Sequence, residues 1–238
     1  MKKFSFAVIV VLSIIMSASC SKDEAPVVIY DATVTFKPLE GGFYYLKQDD
    51  STALIVTNKD MQKYPFADGK EHRAIVRYTL DNVSSQMTIP GFASTKTVVL
   101  HDMDALYTKA PVVLKKLNPE IYGDGLLGLY LGPNTFPRTL IEDGYLNVCF
   151  EMPMSDFGIT HEINLLTGVD PKDPYVVELR HNPKGDISTH SQSFIINFPL
   201  ECLPDTKGET VALKLRWHSM TTGKWETVAF DYCSRTDW

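Results

Sequence analysis

Over most of its length the chain alternates apolar and polar positions in short runs. GYLNVCFEM (Gly144 to Met152) puts Leu146, Val148, Phe150 and Met152 on one face and Tyr145, Asn147, Cys149 and Glu151 on the other. Val211, Leu213, Leu215 and Trp217 alternate in the same way with Ala212, Lys214, Arg216 and His218. A period of two marks a half-buried, antiparallel strand. Thr221-Thr222-Gly223-Lys224 then returns the chain into WETVAFDY, which predicts a hairpin. Val176 to Arg180 and Phe194 to Phe198 add two strands, joined through Asn182-Pro183-Lys184-Gly185. Asn, Pro and Gly at the first, second and fourth of those positions suit a type I turn. A β-sandwich is predicted from roughly residue 120 onward.

The first half carries the same signal in shorter pieces. VVIYDATVTF (Val27 to Phe36), GFYYLKQ (Gly42 to Gln48), Leu54 to Thr57 and RAIVRYTL (Arg73 to Leu80) are rich in β-branched and aromatic residues. Gly41-Gly42, Asp49-Asp50 and Asp68-Gly69 break them. Strands at this spacing close a small barrel or a sandwich. Asp102 to Leu117 is less regular and predicts a short helix broken at Pro111. The boundary between the halves is expected near Asn118-Pro119 to Gly123-Asp124-Gly125.

The start of the chain departs from this pattern. Met1-Lys2-Lys3, an apolar run from Phe4 to Met16 and the small residues Ser17, Ala18 and Ser19 form a signal peptide, residues 1–19. The run is shorter than the roughly 20 residues a spanning helix needs. Two processing readings follow. Ordinary cleavage would leave a soluble secreted protein with an incidental Cys20. Alternatively Cys20 becomes the first mature residue and is acylated, and the protein is held on a membrane. Ser-Ala-Ser-Cys resembles a bacterial lipobox, with Ser17 where Leu is commoner, and Ser21-Lys22-Asp23-Glu24 resembles an export signal of surface lipoproteins. Lys22, Asp23 and Glu24 therefore favour the second reading, with the outer face of the outer membrane as destination and its periplasmic face as the alternative. Two or three acyl chains give stable anchoring where one does not.

Charge and cysteine content narrow the partners. Loss of Lys2 and Lys3 lowers the basic count from 23 to 21 against 29 acids, a net charge of −8. Nucleic acid, whose phosphates require clustered Lys and Arg, is not an expected partner. Beyond Cys20 the cysteines are Cys149, Cys202 and Cys233. Three thiols in an oxidising compartment permit one disulfide and one free thiol. Cys149 falls in a regular strand, so Cys202 with Cys233 is the expected pair.

Several blocks together resemble the NigD-like family of bacterial lipoproteins: ATVTFKPLEGGFYYLKQDD, DGKEHRAIVRYTL, GYLNVCFEM, THEINLL, YVVELRHNPKGD and LKLRWHS. The resemblance covers nearly the whole mature chain and is most specific from VELRHN to GD. It implies an all-β chain, with an N-terminal OB-like barrel followed by a C-terminal antiparallel β-sandwich. The expected organisation is a lipidated cysteine and tether at 20–30, the barrel at 31–118 and the sandwich at 119–238. It also implies a possible immunity role, since the family's name comes from a gene beside a bacteriocin-like cluster, and it carries no catalytic residues.

Motifs that spell known chemistry lack its context. Gly123-Asp-Gly125-Leu-Leu-Gly128 matches the dinucleotide fingerprint, but Pro133 and Pro137 follow where a helix must start, so a turn or linker is expected and no nucleotide or other cofactor. His161-Glu162 begins a zinc-protease motif that fails at Leu165, and no metal site is expected from the histidine spacings. His101-Asp102-Met103-Asp104 is read as a solvated loop. No nucleophile elbow occurs, and the chain is not expected to be an enzyme. Trp217 shares the apolar face of its strand, whereas Tyr44 and Trp225 are the candidate ligand-facing aromatics, because exposed rings suit sugar faces. Asp50-Ser51-Thr52 resembles a short bacterial O-glycosylation site at Ser51. The leading expectation is a lipid-anchored, non-enzymatic binding or accessory module for a protein or glycan partner. A bacteriocin-type immunity protein and a carbohydrate-binding protein are the alternatives.

Overall fold

A computed structural model of the chain describes residues 27–81, 88–114, 118–155, 158–188 and 190–235. Five strands close a barrel: β1 (Tyr30–Pro38), β2 (Tyr44–Lys47), β3 (Thr52–Val56), β4 (His72–Leu80) and β5 (Ser94–Ala105). Their order around the barrel is β1-β2-β3-β5-β4. Every pair is antiparallel except β3 with β5. This is the OB-like barrel that the motifs imply.

The alternation in β1 explains its inward set, with Ala32, Val34 and Phe36 in a core shared with Leu46, Leu54, Val56, Ala74, Val76, Val98 and Leu100. On the opposite face of the same strands polar groups are buried too: Arg73 is fully buried and donates to Thr35 Oγ1 at 2.8 Å, and Lys37 is 5% exposed and pairs with Glu71 at 2.8 Å. The charged segment His101–Asp104, expected as a loop, and the start of the expected helix both lie inside β5. Pairing with β4, as in Ile75 opposite Asp104, outweighs local composition there.

The second half is a two-sheet sandwich. In chain order its strands are β6 (Val112–Val113), β7 (Gly128–Leu129), β8 (Leu140–Glu142), β9 (Tyr145–Pro153), β10 (Glu162–Thr167), β11 (Val176–Asn182), β12 (Ser191–Pro199), β13 (Val211–His218) and β14 (Trp225–Tyr232). One sheet runs β14-β13-β11-β10-β6, and the other runs β12-β9-β7 with β8 also on β9. The two inner faces meet in one core that includes Leu146, Val148, Phe150, Leu165, Val177, Leu179, Phe198, Leu213, Leu215 and Trp217. Both alternating runs bury their predicted faces, but β9 is not half-buried as expected: Tyr145, Asn147 and Cys149 on its other face are buried as well, under β8 and the residues around Thr139.

The sandwich is antiparallel apart from two parallel pairs, β11 with β13 and β10 with β6. β11 and β12 belong to different sheets, so the Asn182–Gly185 connection crosses the core instead of closing a hairpin. Its turn is shifted by one residue: Asp186 N donates to Pro183 O at 3.0 Å, and the central Lys184 and Gly185 have φ of 52° and 85°, unlike a type I turn.

The chain divides into two compact units between Leu106 and Tyr107. That is earlier than the boundary expected at residues 118 and 119. The intervening residues join the sandwich through β6 and through Lys109 N, which donates to Asn197 O at 2.9 Å.

Candidate functional site

The most specific sequence block, VELRHN to GD, lies on β11 and the turn behind it. Its side chains converge on a short strap, Gly123–Leu127, that follows a 3-10 turn at Pro119–Tyr122. Three carbonyls of the strap each meet one donor group. Arg180 Nη1 donates to Gly123 O at 3.3 Å, His218 Nδ1 lies 2.5 Å from Asp124 O, and His181 Nδ1 lies 3.3 Å from Leu126 O. Backbone bonds complete the grip, with Gly125 N donating to His181 O at 2.8 Å and Leu127 N to His218 O at 2.9 Å. The strap presses so closely that a Cβ at Gly123 would sit 2.4 Å from His181 O, and one at Gly125 would sit 2.6 Å from His181 Nδ1. This close approach accounts for the first two glycines of the GDGLLG run, and at Gly128 a Cβ would instead sit 2.8 Å from the Glu151 side chain.

Behind His181 runs a buried polar chain. His181 Nε2 lies 2.9 Å from His161 Nδ1, and His161 Nε2 lies 3.1 Å from Asp186 Oδ2. The ring centroids are 5.1 Å apart with planes 25° from parallel, so the imidazoles meet edge to edge. The side chains of His161 and Asp186 are each 1% exposed, and His181 is equally buried. Ser155 donates to Asp186 through its backbone N at 2.7 Å and through its hydroxyl. Those bonds, with help from His161, hold the Asp186 carboxyl below its usual range. Burial pushes His181 down to about 4, with the His161 ring adding to the effect and the Leu126 carbonyl opposing it.

On the outer face of the same sheet Glu178 joins two arginines. Arg180 Nη2 approaches Glu178 Oε2 at 2.6 Å, and Arg216 Nη1 approaches Glu178 Oε1 at 3.0 Å. The Arg180 guanidinium also sits 4.3 Å from the centre of the Trp225 ring. His218 stacks against that indole at 5.7 Å with planes 10° from parallel. Trp225 is 38% exposed, so its orientation is set from within while part of the ring faces solvent.

The chemistry open to these groups follows from their order. The two imidazoles use opposite nitrogens and stand in series, so they do not converge on a common point as metal ligands would. Among the described residues no cluster of three His, Cys, Asp or Glu side chains could hold a metal. Ser155 donates to the carboxylate and not to an imidazole, so the set lacks the nucleophile-to-base contact of acyl transfer. It is suited to holding backbone, through His181 and the Leu126 carbonyl.

The other sequence candidates are scattered. Cys20, Lys22, Asp23 and Glu24 lie outside the described residues. Tyr44 is corrected from ligand-facing to core: it is 6% exposed, packs on Phe36 at 4.9 Å and donates to Met61 O. Its neighbour Phe43 is the exposed ring, because β2 turns Tyr44 and Leu46 into the barrel. Ser51 is exposed between β2 and β3, where its N and Oγ both bond Asp49 Oδ1 at 2.8 Å.

Cys202 and Cys233 are exposed free thiols and form no disulfide in this structure. Cys233 Sγ instead meets Thr206 Oγ1 at 3.6 Å. Cys149 is buried and its thiol pushed up to about 12, so it is no nucleophile. It forms part of the wall of an apolar cavity of about 340 Å³ with Tyr130, Phe136, Pro137 and Ile195.

The His161–His181–Asp186 chain was not anticipated, because its members are 20 and 25 residues apart in sequence. The available signal was that all three fall within the THEINLL and VELRHN-to-GD blocks.

Residues 135–232 match the family model of the NigD-like C-terminal beta sandwich domain. No curated protein matches the chain. Among solved structures, a protein described as toxin related from Parabacteroides distasonis is 27% identical with a TM-score of 0.65, over 87% of this chain and 94% of that one. A NigD-like immunity protein from Bacteroides caccae is 17% identical with a TM-score of 0.57, over 86% of this chain and 97% of its own. A protein described as a lipoprotein from Bacteroides fragilis is 10% identical with a TM-score of 0.58, over 87% and 100%. The last two likenesses concern fold alone. Residues 135–232 are thus similar to the NigD-like C-terminal beta sandwich domain, in line with the sequence blocks, and the fold of the chain is shared with these solved structures.

Proposed function

We propose that the protein is a lipid-anchored envelope protein, held at the outer membrane through Cys20 and facing the cell exterior, that acts as a non-enzymatic binding or accessory module for a protein or glycan partner. The observation that carries the binding role is the Trp225 platform. Trp217 is buried in the core, whereas the Trp225 ring is 38% exposed and held in place by Arg180 and His218, with the 40% exposed Arg216 on the same sheet face. A preoriented indole beside a guanidinium presents flat apolar area and hydrogen-bond donors together, a combination that suits sugar rings and polar protein partners. The lipobox-like leader and the Lys22-Asp23-Glu24 run support the anchor and the address.

Retention of the mature protein on a glycan array, or co-purification of a partner from membranes, is expected to be lost on Trp225→Ala while the fold is kept. Unchanged retention would sink the platform as the binding surface. Protease shaving of intact cells is expected to release the protein, whereas full protection would place it on the periplasmic face. Immunity is the second reading, favoured by the NigD-like domain and by a neighbour described as an immunity protein. A deletion strain with unchanged sensitivity to the relevant secreted toxin would count against it.

A further inference from the structure

The contacts that hold the strap leave a proton count that neutral imidazoles cannot meet. Asp186 Oδ2, His161, His181 and Leu126 O form three successive hydrogen-bonding gaps, of 3.1, 2.9 and 3.3 Å. Both ends of this series are oxygen acceptors, a carboxylate and a carbonyl, so each gap must be filled by a hydrogen carried on an imidazole nitrogen. Two neutral rings carry two hydrogens, which leaves one gap with two lone pairs facing. His218 repeats the problem, with Nδ1 2.5 Å from Asp124 O and Nε2 3.2 Å from Gly223 O. Both partners accept, and a neutral ring has one hydrogen for two bonds.

We propose that the strap Gly123–Leu127 is latched by two imidazolium ions, His161 and His218, so that its closure takes up two protons and its release gives them back. In the closed latch His161 donates from Nε2 to Asp186 and from Nδ1 to His181, and neutral His181 donates from Nδ1 to Leu126 O. His218 donates to Asp124 O and Gly223 O together.

The surroundings fit this assignment. Asp186, from the turn after β11, is held as a carboxylate by Ser155 from the loop after β9, and supplies the counter-charge for His161. His181, enclosed by Gly125 and Leu126 of the strap, is the ring that burial keeps uncharged. Glu162, next to His161 at the start of β10, pairs with Lys184 of the turn at 3.0 Å. His218 faces the Trp225 ring from β14, whose π face attracts a cation. Arg180 of β11 shares that ring, and Glu178 offsets one of the two positive charges of Arg180 and Arg216. Glu226, next to Trp225, is bonded to Thr222 at 2.8 Å.

Ring-nitrogen NMR of the uniformly ¹⁵N-labelled mature protein at pH 7 reads the assignment directly. Both nitrogens of His161 and of His218 should show the protonated signature, and His181 should show hydrogen on Nδ1 alone. Hydrogen exchange at the Gly125 and Leu127 amides, corrected for intrinsic rates, reads the linkage. The opening constant should rise at least tenfold from pH 7 to pH 8, towards the limit of about 100-fold set by two protons. Neutral ring signals for His161 or His218, or a strap opening constant that does not change with pH, would overturn the proposal.

Discussion

The barrel and the sandwich are built from the same kind of strand and solve the interior problem differently. The barrel core is an alternating apolar set, with Tyr44 reaching a backbone carbonyl from inside it. The sandwich has a larger apolar core and, at one end of it, buries an Asp-His-His series beside an Arg-Glu-Arg cluster. Such groups stabilise only when every partner is in place, because an unpaired buried charge costs far more than a matched pair contributes. The apolar core of the barrel should therefore respond to lost volume, and the polar end of the sandwich to lost partners.

The largest expected effects separate the two units by mechanism. Tyr44→Ala removes a ring packed on Phe36 and should cost the barrel about 4 kcal/mol in chemical denaturation, the usual range for deleting a core aromatic. Arg180→Ala should cost the sandwich about 3 kcal/mol, since the buried Glu178 carboxylate then keeps only the more exposed Arg216 of its two guanidinium partners. All three tryptophans fall in the second unit, so tryptophan fluorescence follows the sandwich and tyrosine near-ultraviolet circular dichroism follows both. If Arg180→Ala were harmless, the sandwich end would be ordinary packing and the contrast would fail.

Glycines sharpen the same contrast at a smaller scale. At Gly69, in the barrel unit, φ is 64° and an added Cβ meets nothing within 4 Å, so alanine should cost only the left-handed conformation, about 1 kcal/mol. At Gly123 the same substitution also drives a Cβ against His181 O and must lift the strap, at about 3 kcal/mol. Equal costs at the two sites, measured by urea denaturation, would mean that the strap is not gripped.

The dependence on acid should be smaller, and in the sandwich it centres on His181. An unfolded chain protonates His181 as pH falls through about 6.5, and the folded chain resists until about 4. The unfolded state therefore binds more protons in that window, and this contribution is complete above about 6.5 and lost as pH falls towards 4. A loss of about 2 kcal/mol is expected across it, and His181→Gln should remove this part of the pH profile.

How much of this was legible in the sequence follows from what each feature depends on. Strand faces such as Leu146 to Met152 and Leu213 to Trp217 are local periodicities, and they are buried as read. The face of Tyr44 is not legible because three aromatic residues in a row, Phe43 to Tyr45, carry no alternation, and pairing with β1 decides that Tyr44 and Leu46 turn inward. His101–Asp104 was taken for loop because β5 is stabilised by pairing with β4, which composition does not report. The imidazole series joins residues from separate strands and turns, and Leu126 O is 55 residues from His181 in sequence. Only the clustering of family-like blocks marked that end of the sandwich, without revealing what its residues hold.

The central claim is that the VELRHN-to-GD block closes on the chain's own strap. Residue-resolved hydrogen exchange of the mature protein at pH 7 tests it most directly at the Gly125 and Leu127 amides, which donate to His181 O and His218 O. The account expects both to be protected to the level of the β11 amides. Exchange at the rate of an exposed loop would contradict it.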